Sequence, residues 1–191
     1  MGGSEPSASH LGARELFVAH ATFVARFLAR LGVGPSDLDD LVQEVFLVAH
    51  RHGGFTPDRG RATTWLAHIA LRVASTARRG LRRRREDHDD DALTAYPSMV
   101  ADPHRSAEVT ESLARVERAL ASLNLDQRAV FILFEVEGES CEAIARGLDV
   151  PLGTVHSRLH NARKKFRRAY ERAIAPDNVP AHLGQEERPC R

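Results

Sequence analysis

Residues Ser140–Arg168 have the sequence SCEAIARGLDVPLGTVHSRLHNARKKFRR, which predicts a helix-turn-helix. Ala145 is small enough to let a second helix cross close to the first. Asp149 lies in the tight turn, where it can adopt the left-handed backbone that such a turn requires. Pro151 suits the start of the second helix. Five apolar residues have the spacing that pins the two helices together: Ile144, Leu148, Val150, Val155 and Leu159.

The second helix of this motif has a polar and basic surface. Its first turns carry groups that can bind base edges and phosphates, and its far end is cationic. Such a helix fits the major groove of DNA. The alternative is a helical hairpin with a solvated basic face. The candidate DNA-binding residues are Thr154, His156, Ser157, Arg158, Arg163 and Lys164.

Three amphipathic helices are predicted upstream of this motif. The first covers residues 13–31, the second begins at an N-cap Ser36, and the third begins near Thr64. Later in the chain, Asp126 is expected to cap a further helix ahead of the helix-turn-helix. No segment has the alternating pattern of a surface strand, so the predicted fold class is all-α.

Changes in composition predict the domain organisation. Residues 86–107 hold an acidic run and two prolines and are predicted to be a flexible linker. The linker joins two small helical domains, residues 13–85 and 108–174, and the second contains the helix-turn-helix. Residues 175–191 are polar and are predicted to be a disordered tail.

The distribution of charge is more informative than the net charge of +1. Seven arginines and no acid lie between Arg72 and Arg85, and seven basic residues against one acid lie between Arg158 and Arg172. Two basic blocks in a nearly neutral chain suggest two surfaces that bind a polyanion. Solvated helix faces are the alternative for either block.

The third helix and the loop before it combine aromatic and basic side chains. Single-stranded DNA needs aromatic faces for its unstacked bases and cations along its backbone, so this segment is a candidate site for it. The aromatic residues also fit core positions, and we favour the core for Trp65. The candidate residues are Phe55, Trp65, Arg72, Arg78, Arg79 and Arg82.

The second helix offers an acidic and partly apolar face, formed by Asp40, Gln43, Glu44 and Leu47. These residues form no pair of catalytic carboxylates, and a basic partner helix is the better functional interpretation. The alternative is that acids near the start of the helix only stabilise its dipole.

Composition excludes several function classes. The two cysteines, Cys141 and Cys190, exclude a disulfide scaffold or a four-cysteine zinc site and fit a reducing cytoplasm. No apolar run is long enough for a membrane span, and residues 1–10 do not resemble a signal peptide. No catalytic residue, metal site or cofactor is predicted. A metal-dependent hydrolase is a weak alternative, because its candidate ligands lack ligand spacing: His88, Asp89, Asp90, Asp91 and His104.

The chain resembles a known family in two segments. DLDDLVQEVFLVAHR (Asp37–Arg51) and FTPDRGRATTWLAHIALRVASTARR (Phe55–Arg79) resemble region 2 of bacterial sigma factors. Ala119–Tyr170, which ends in GTVHSRLHNARKKFRRAY, resembles region 4. No room exists for a region 3, so the chain resembles the extracytoplasmic-function (ECF) group of the sigma-70 family.

The resemblance implies a function and its partners. Such proteins bind core RNA polymerase and direct it to promoter DNA, and an anti-sigma factor usually holds them inactive. The helix matching Asp40–Val48 is expected to dock on a coiled coil of the largest polymerase subunit. The helix matching Trp65–Arg82, with its preceding loop, is expected to melt and recognise the −10 element. The helix matching Pro151–Lys165 is expected to recognise the −35 element.

Individual roles follow from the same resemblance. It implies polymerase contacts at Asp40, Gln43 and Glu44, −10 contacts at Arg78 and Arg79, and −35 contacts at Thr154, His156, Ser157, Arg158 and Arg163. Three residues depart from the common family pattern: Arg72 in place of Asn, Thr76 in place of Asp, and Asp149 in place of Gly. The main alternative function is a stand-alone helix-turn-helix regulator that acts without polymerase, which would have no need of the acidic face on the second helix.

Overall fold

A computed structural model describes residues 10–57, 60–86 and 107–174. The described residues form seven α-helices and no β-strand, apart from one isolated antiparallel bridge between Leu11 and Phe55. The all-α fold class is therefore confirmed for this part of the chain. The predicted linker, apart from its two end residues, and the predicted tail lie outside it. None of the described helices is long and apolar enough to cross a membrane.

The first three helices are α1 (Ala13–Leu31), α2 (Pro35–Arg51) and α3 (Ala62–Glu86). The bounds of α1 agree with the prediction, and the helix ends at Gly32, whose φ of 92° favours glycine. The predicted N-cap at Ser36 is wrong: Gly34 is the N-cap of α2. Pro35 takes the first helical position, because its fixed φ suits that position and its missing N–H is not needed there.

The second half contains α4 (Ala107–Ala121), α5 (Leu125–Phe131), α6 (Cys141–Leu148) and α7 (Leu152–Ile174). A π-helical turn over Ile132–Val136 continues α5. The predicted cap at Asp126 is wrong, because Asn124 caps α5 by accepting a hydrogen bond from the Gln127 N–H at 2.9 Å. Asp126 lies inside the first turn, where its charge suits the helix dipole.

Helices α6 and α7 form the predicted helix-turn-helix. Ser140 caps α6 through a hydrogen bond from the Ala143 N–H at 3.1 Å. Asp149 ends α6 with a φ of 54°, the left-handed conformation that the sequence predicted for it. The Val150 N–H then donates to the Ala145 carbonyl at 3.0 Å, which closes the turn.

The two halves of the chain are in contact. Helices α5 and α6 pack against α1 and α3, and one apolar cluster runs through both halves. At the surface of this contact, the Arg30 guanidinium forms an ion pair with Glu137 at 2.8 Å. We call the contact between residues 10–86 and residues 107–174 the seam.

Candidate functional site

The candidate base-contacting residues lie on one side of α7. Val155, Leu159 and Ala162 are buried against the rest of the fold, so the opposite side of the helix faces solvent. His156, Ser157, Arg163 and Lys164 are exposed there, and Thr154 and Arg158 are half-buried beside them. The amphipathic pattern of α7 therefore presents all six predicted residues in one region of the surface.

Acidic side chains of the preceding helices hold the arginines of α7 in place. Arg158 Nη2 donates to Asp126 at 2.8 Å, and Arg163 Nε donates to Glu135 at 2.6 Å. The Arg163 guanidinium also lies 4.9 Å from the centre of the Phe134 ring. These contacts restrict side chains that would otherwise sample many rotamers, so less conformational entropy is lost when they bind a ligand.

A line of arginines begins at Arg61, just before α3, and continues along one face of that helix. Arg61, Arg72, Arg79 and Arg83 are separated by 11, 7 and 4 residues, which are close to whole numbers of helical turns. All four are exposed, and we call them the basic stripe. Arg79 donates to the Thr76 hydroxyl at 3.1 Å.

The other candidates on and before α3 differ in their surroundings. Arg78 is half-buried beside the stripe, and the side chain of Arg82 lies outside the described residues. Phe55 and Trp65 are buried with ring centres 5.7 Å apart, as the core interpretation of Trp65 predicted. The backbone of Phe55 forms hydrogen bonds with the backbone of Leu11, and the Phe55 ring lies in the core. A base could stack on either ring only after neighbouring side chains move.

The predicted acidic face on α2 is present at the surface. Asp40 and Gln43 are exposed, Leu47 is 46% exposed, and Glu44 is half-buried. Glu44 accepts a hydrogen bond from Arg51 Nη2 at 2.5 Å. The face therefore combines an exposed carboxylate, an exposed amide, a leucine side chain and a carboxylate paired with an arginine. This composition suits a basic partner helix with some apolar surface.

A groove of about 540 Å³ separates this face from the basic stripe. Leu41, Glu44 and Val48 of α2 line one wall, and Ile69 and Arg72 of α3 line the other. The groove is mainly apolar with charged groups on both sides, so it can accommodate side chains of a partner helix.

No metal centre is found in the described part of the chain, where no group of three or more potential ligands comes together. His156 and His160 have the i, i+4 spacing of a ligand pair, although no such histidine pair was expected from the sequence, and both are exposed on α7. Two imidazoles without a third ligand do not form a site. The candidate ligands of the hydrolase alternative, residues 88–91 and His104, lie outside the described residues.

Sequence reasoning also missed the polar residues of the seam. Glu139 is only 5% exposed, and its carboxylate lies 3.3 Å from Arg61 Nη1 and accepts a hydrogen bond from the Thr63 hydroxyl at 3.5 Å. Arg128 is also buried, with its guanidinium against Gly32 at the end of α1. These partners are far apart in the sequence, so no local pattern could have shown them.

Two family models match the segments that carry the resemblance. Residues 16–85 match the model of sigma-70 region 2, and residues 113–166 match the model of sigma-70 region 4. The ECF RNA polymerase sigma factor SigM of Mycobacterium tuberculosis is 36% identical over 155 residues, which cover 81% of this chain and 74% of the relative. The chain belongs to the ECF group of the sigma-70 family. It is an RNA polymerase sigma factor.

Other relatives agree with this membership. The ECF RNA polymerase sigma-E factor of Escherichia coli K12 is 33% identical over 158 residues, which cover 78% of this sigma factor and 81% of the relative. The fold resembles the sigma factor RpoE of Bartonella quintana, solved with the anti-sigma factor NepR, with a TM-score of 0.62 and 20% identity over 85% of this chain and 98% of that one. It also resembles CnrH, solved with the cytosolic domain of CnrY, with a TM-score of 0.58 and 25% identity over 84% of this chain and 88% of that one.

Proposed function

We propose that this sigma factor divides promoter recognition among three helices. The acidic face of α2 binds core polymerase, α3 and the loop before it bind the melted −10 element, and α7 binds the −35 element in the major groove. One observation carries the proposal: a single chain exposes both the acidic face of α2 and the polar and basic face of α7. A stand-alone helix-turn-helix regulator, the second candidate, would use only α7.

On α7, the residues near its start are in position to contact base edges. We assign this role to Thr154, His156, Ser157 and Arg158, and we assign phosphate contacts to Arg163 and Lys164. A good pair of hydrogen bonds to one base contributes about 1–3 kcal/mol of discrimination. Phosphate contacts add affinity that does not depend on sequence and falls with salt.

On α3, the arginines follow the backbone of the melted strand. We assign this role to Arg72, Arg78, Arg79 and Arg82. Phe55 and Trp65 support the loop and the helix from the core, and they become stacking surfaces for a base only if the loop rearranges.

On α2, Asp40, Gln43, Glu44 and Leu47 form the polymerase contact. Opposite charges on the two partners steer their encounter and fix their relative position, and Leu47 adds apolar contact area. Polymerase then presents both DNA-binding domains to one promoter, which raises the effective concentration of the second domain once the first is bound.

An anti-sigma factor is the expected regulator. RpoE and CnrH, which share this fold, were each solved with a partner protein, named as an anti-sigma factor for RpoE. The groove between α2 and α3 is a candidate site for a helix of such a partner, because it adjoins the polymerase face. We further propose that this protein acts in the cytoplasm without catalytic activity or a cofactor of its own.

Transcription in vitro tests the proposed function. Core RNA polymerase is combined with this protein and a library of promoter templates, and run-off transcripts are sequenced. The proposal predicts transcripts that require the protein and begin downstream of a shared pair of elements. Specific DNA binding without any affinity for core polymerase would favour the stand-alone regulator instead.

A further inference from the structure

Helix α3 carries positive charge with no acid of its own over almost its whole length. Seven arginines and no aspartate or glutamate lie between Ala62 and Arg85, and the one acid of the helix is its last residue, Glu86. Thr76 stands within this segment, at the position where the common family pattern has Asp. A surface with this charge attracts a polyanion, and the basic stripe lets the polyanion run along the helix.

Two small residues lie within the basic stripe. Thr76 is four residues after Arg72, and Gly80 is four residues after Thr76, so both share the face of the stripe arginines. Each step of four residues advances about 6 Å along the helix. Thr76 and Gly80 are both exposed, and they leave a low region of the surface between the longer side chains of Arg72, Arg79 and Arg83.

Gly80 is not required by the packing of the described residues. A helix interior disfavours glycine, because glycine loses more conformational freedom on folding than any other residue. A Cβ atom added at Gly80 would meet no described atom within 4 Å, so no neighbour demands the missing side chain. Glycine is also the residue that lets a ligand approach the backbone closely. The position therefore fits a ligand that lies directly against the helix.

Thr76 holds the guanidinium of Arg79 without neutralising it. Arg79 donates to the Thr76 hydroxyl at 3.1 Å and to the Ser75 hydroxyl at 3.4 Å. By contrast, Arg158 and Arg163 on α7 are each paired with a carboxylate. A hydroxyl that accepts a hydrogen bond still has its own proton to donate. Thr76 and Arg79 therefore present an O–H donor beside a guanidinium whose charge these two hydroxyls do not cancel.

We propose that Thr76, Arg79 and Gly80 form a site for one backbone phosphate of the melted promoter strand, which we call the phosphate seat. The phosphate lies against the uncovered backbone at Gly80 and accepts hydrogen bonds from the Thr76 hydroxyl and the Arg79 guanidinium. Arg72 and Arg83 lie on either side and bind the neighbouring phosphates of the same strand. This inference rests on the proposed function of α3, and it adds two uncharged residues to the contacts proposed there.

The test uses the complex with core polymerase and a promoter found in the run-off experiment. A fluorescein-labelled non-template strand that covers the melted segment is titrated with core polymerase carrying the unchanged protein or a variant, and anisotropy gives the affinity. Core polymerase alone supplies the background. Co-elution with core polymerase verifies that each variant assembles, so a loss of strand binding is not a loss of the complex.

Gly80→Ala fills the phosphate seat without changing any charge. The Tm should rise, because alanine is the better helix former and its methyl group meets no described atom. The strand affinity should nevertheless fall roughly 3- to 10-fold, since the phosphate no longer reaches the backbone and its hydrogen bonds lengthen. A more stable variant that binds the strand less tightly cannot be explained by misfolding. Unchanged or tighter strand binding in Gly80→Ala would overturn the seat.

Two substitutions at Thr76 separate its hydroxyl from its shape. Thr76→Val keeps the branched shape and removes the donor, so the strand affinity should fall about 2- to 5-fold. Thr76→Ser keeps the donor and should bind as the unchanged protein does. Thr22→Val is the matched control, because Thr22 is an exposed threonine in the middle of α1. Equal strand affinity in the Val and Ser variants of Thr76 would contradict a hydrogen bond from its hydroxyl to the phosphate.

Salt dependence tests the charge of the bound group. Thr76→Asp places a carboxylate beside Arg79, where the phosphate is expected to bind. The slope of log K against log salt should then decrease by about 0.7, the value for one phosphate contact on a single strand. Thr22→Asp adds the same charge on α1 and should change the slope much less. A purely structural role for Thr76 would leave the slope of Thr76→Asp equal to that of Thr22→Asp, and would overturn the site.

A neutral linkage locates the bound phosphate on the strand. One phosphate at a time is replaced by an uncharged methylphosphonate, and the affinity of each strand is measured with the unchanged protein and with Gly80→Ala. At one linkage, the replacement should weaken binding to the unchanged protein and have little further effect in Gly80→Ala, because both changes remove the same contact. Losses that add at every linkage would show that Gly80 lies against no phosphate.

Transcription separates this inference from the proposed function. Run-off transcription with core polymerase is measured in parallel on the unchanged protein. If the unchanged protein directs transcription while the Gly80 and Thr76 variants all bind the strand as it does, the proposed function stands and only this inference falls. If the unchanged protein supports no transcription, the proposed function fails and this inference falls with it.

Discussion

Single side chains of α7 are oriented by acids rather than projecting freely into solvent. The Asp126–Arg158 and Glu135–Arg163 pairs both link the helix to the segment before the helix-turn-helix. Exposed pairs of this kind contribute little to stability, with typical values of about 0–1 kcal/mol. The two pairs therefore act mainly by orienting the guanidinium groups of Arg158 and Arg163 before DNA binds.

Replacing Arg158 by Ala should remove a base contact and leave the polymerase contact in place. We expect transcription from −35-dependent promoters to fall roughly 5- to 150-fold, which corresponds to about 1–3 kcal/mol. Run-off transcription measures the loss, and co-elution with core polymerase is the control. Asp126→Asn should give a smaller loss, because it frees Arg158 without removing it. Equal losses of transcription and polymerase binding in Arg158→Ala would contradict the assignment.

His68 should make stability depend on pH. Burial and then Arg72 lower its pKa in the folded state, with His52 adding to the effect and Asp149 opposing it. The unfolded chain therefore binds a proton at a higher pH than the folded chain, and the free energy of unfolding decreases as the pH falls below about 6.5. His20, whose pKa is also lowered by burial, acts in the same direction.

Thermal unfolding between pH 7.5 and pH 5.5 measures this dependence. We expect the Tm of His68→Gln to fall less over this range than the Tm of the unchanged protein. His156→Gln is the control, because His156 is exposed on α7. The same fall in Tm in all three proteins would show that His68 does not titrate as its surroundings indicate.

At the scale of helices, α2 is the element that distinguishes a sigma factor from a stand-alone regulator. Asp40, Gln43, Glu44 and Leu47 are spaced by three, one and three residues, so they share one face of the helix. Asp37 and Asp39 lie at its start, where acids also stabilise the helix dipole. The roles of the acids on the face and of the acids at the helix start can therefore be tested by separate substitutions.

Replacing Asp40 and Glu44 together by Lys should weaken binding to core polymerase at least about tenfold, because it places positive charge against a basic partner. Binding of −35 DNA should be retained. The same reversal at Asp37 and Asp39 should lower the Tm instead, with a smaller effect on polymerase binding. Size-exclusion chromatography with core polymerase and thermal unfolding provide the two measurements. If both pairs weaken polymerase binding equally, the face is not the docking surface.

The sequence predicted the helices well where hydrophobic spacing and breakers agreed. The bounds of α1 were correct because glycine ends that helix, and Asp149 was correctly expected in the turn that ends α6. The caps at Ser36 and Asp126 were mispredicted because the residues just before them, Gly34 with Pro35 and Asn124, were better placed to begin those helices. The π-helical turn after α5 had no local signal in the hydrophobic pattern.

At the scale of the whole molecule, the seam could not be predicted from the sequence. Its contacts join residues such as Arg30 with Glu137 and Arg61 with Glu139, which have no fixed spacing that a local pattern could reveal. The candidate site was predictable on α2 and α7, where exposed residues follow from helical periodicity. On α3 it was predictable only in part, since the burial of Phe55 depends on its pairing with Leu11 at the start of the chain.

The seam connects the fold to the function of the whole molecule. The two halves share an apolar cluster, whereas the proposed function requires each to bind a different part of a promoter. Polymerase and DNA must therefore supply more favourable contacts than the seam does, because a ligand shifts an equilibrium only by its differential affinity for the two states.

The distance between the two halves tests this account most directly. Cys141 and Cys190 are replaced by Ser, spin labels are attached at Arg26→Cys on α1 and Glu171→Cys on α7, and the distance is measured by double electron–electron resonance. The account predicts one distance in the free protein and a longer one when core polymerase and promoter DNA bind, because elements about 25 base pairs apart span roughly 85 Å of B-form DNA. An unchanged distance in the polymerase complex, or no complex with core polymerase, would contradict it.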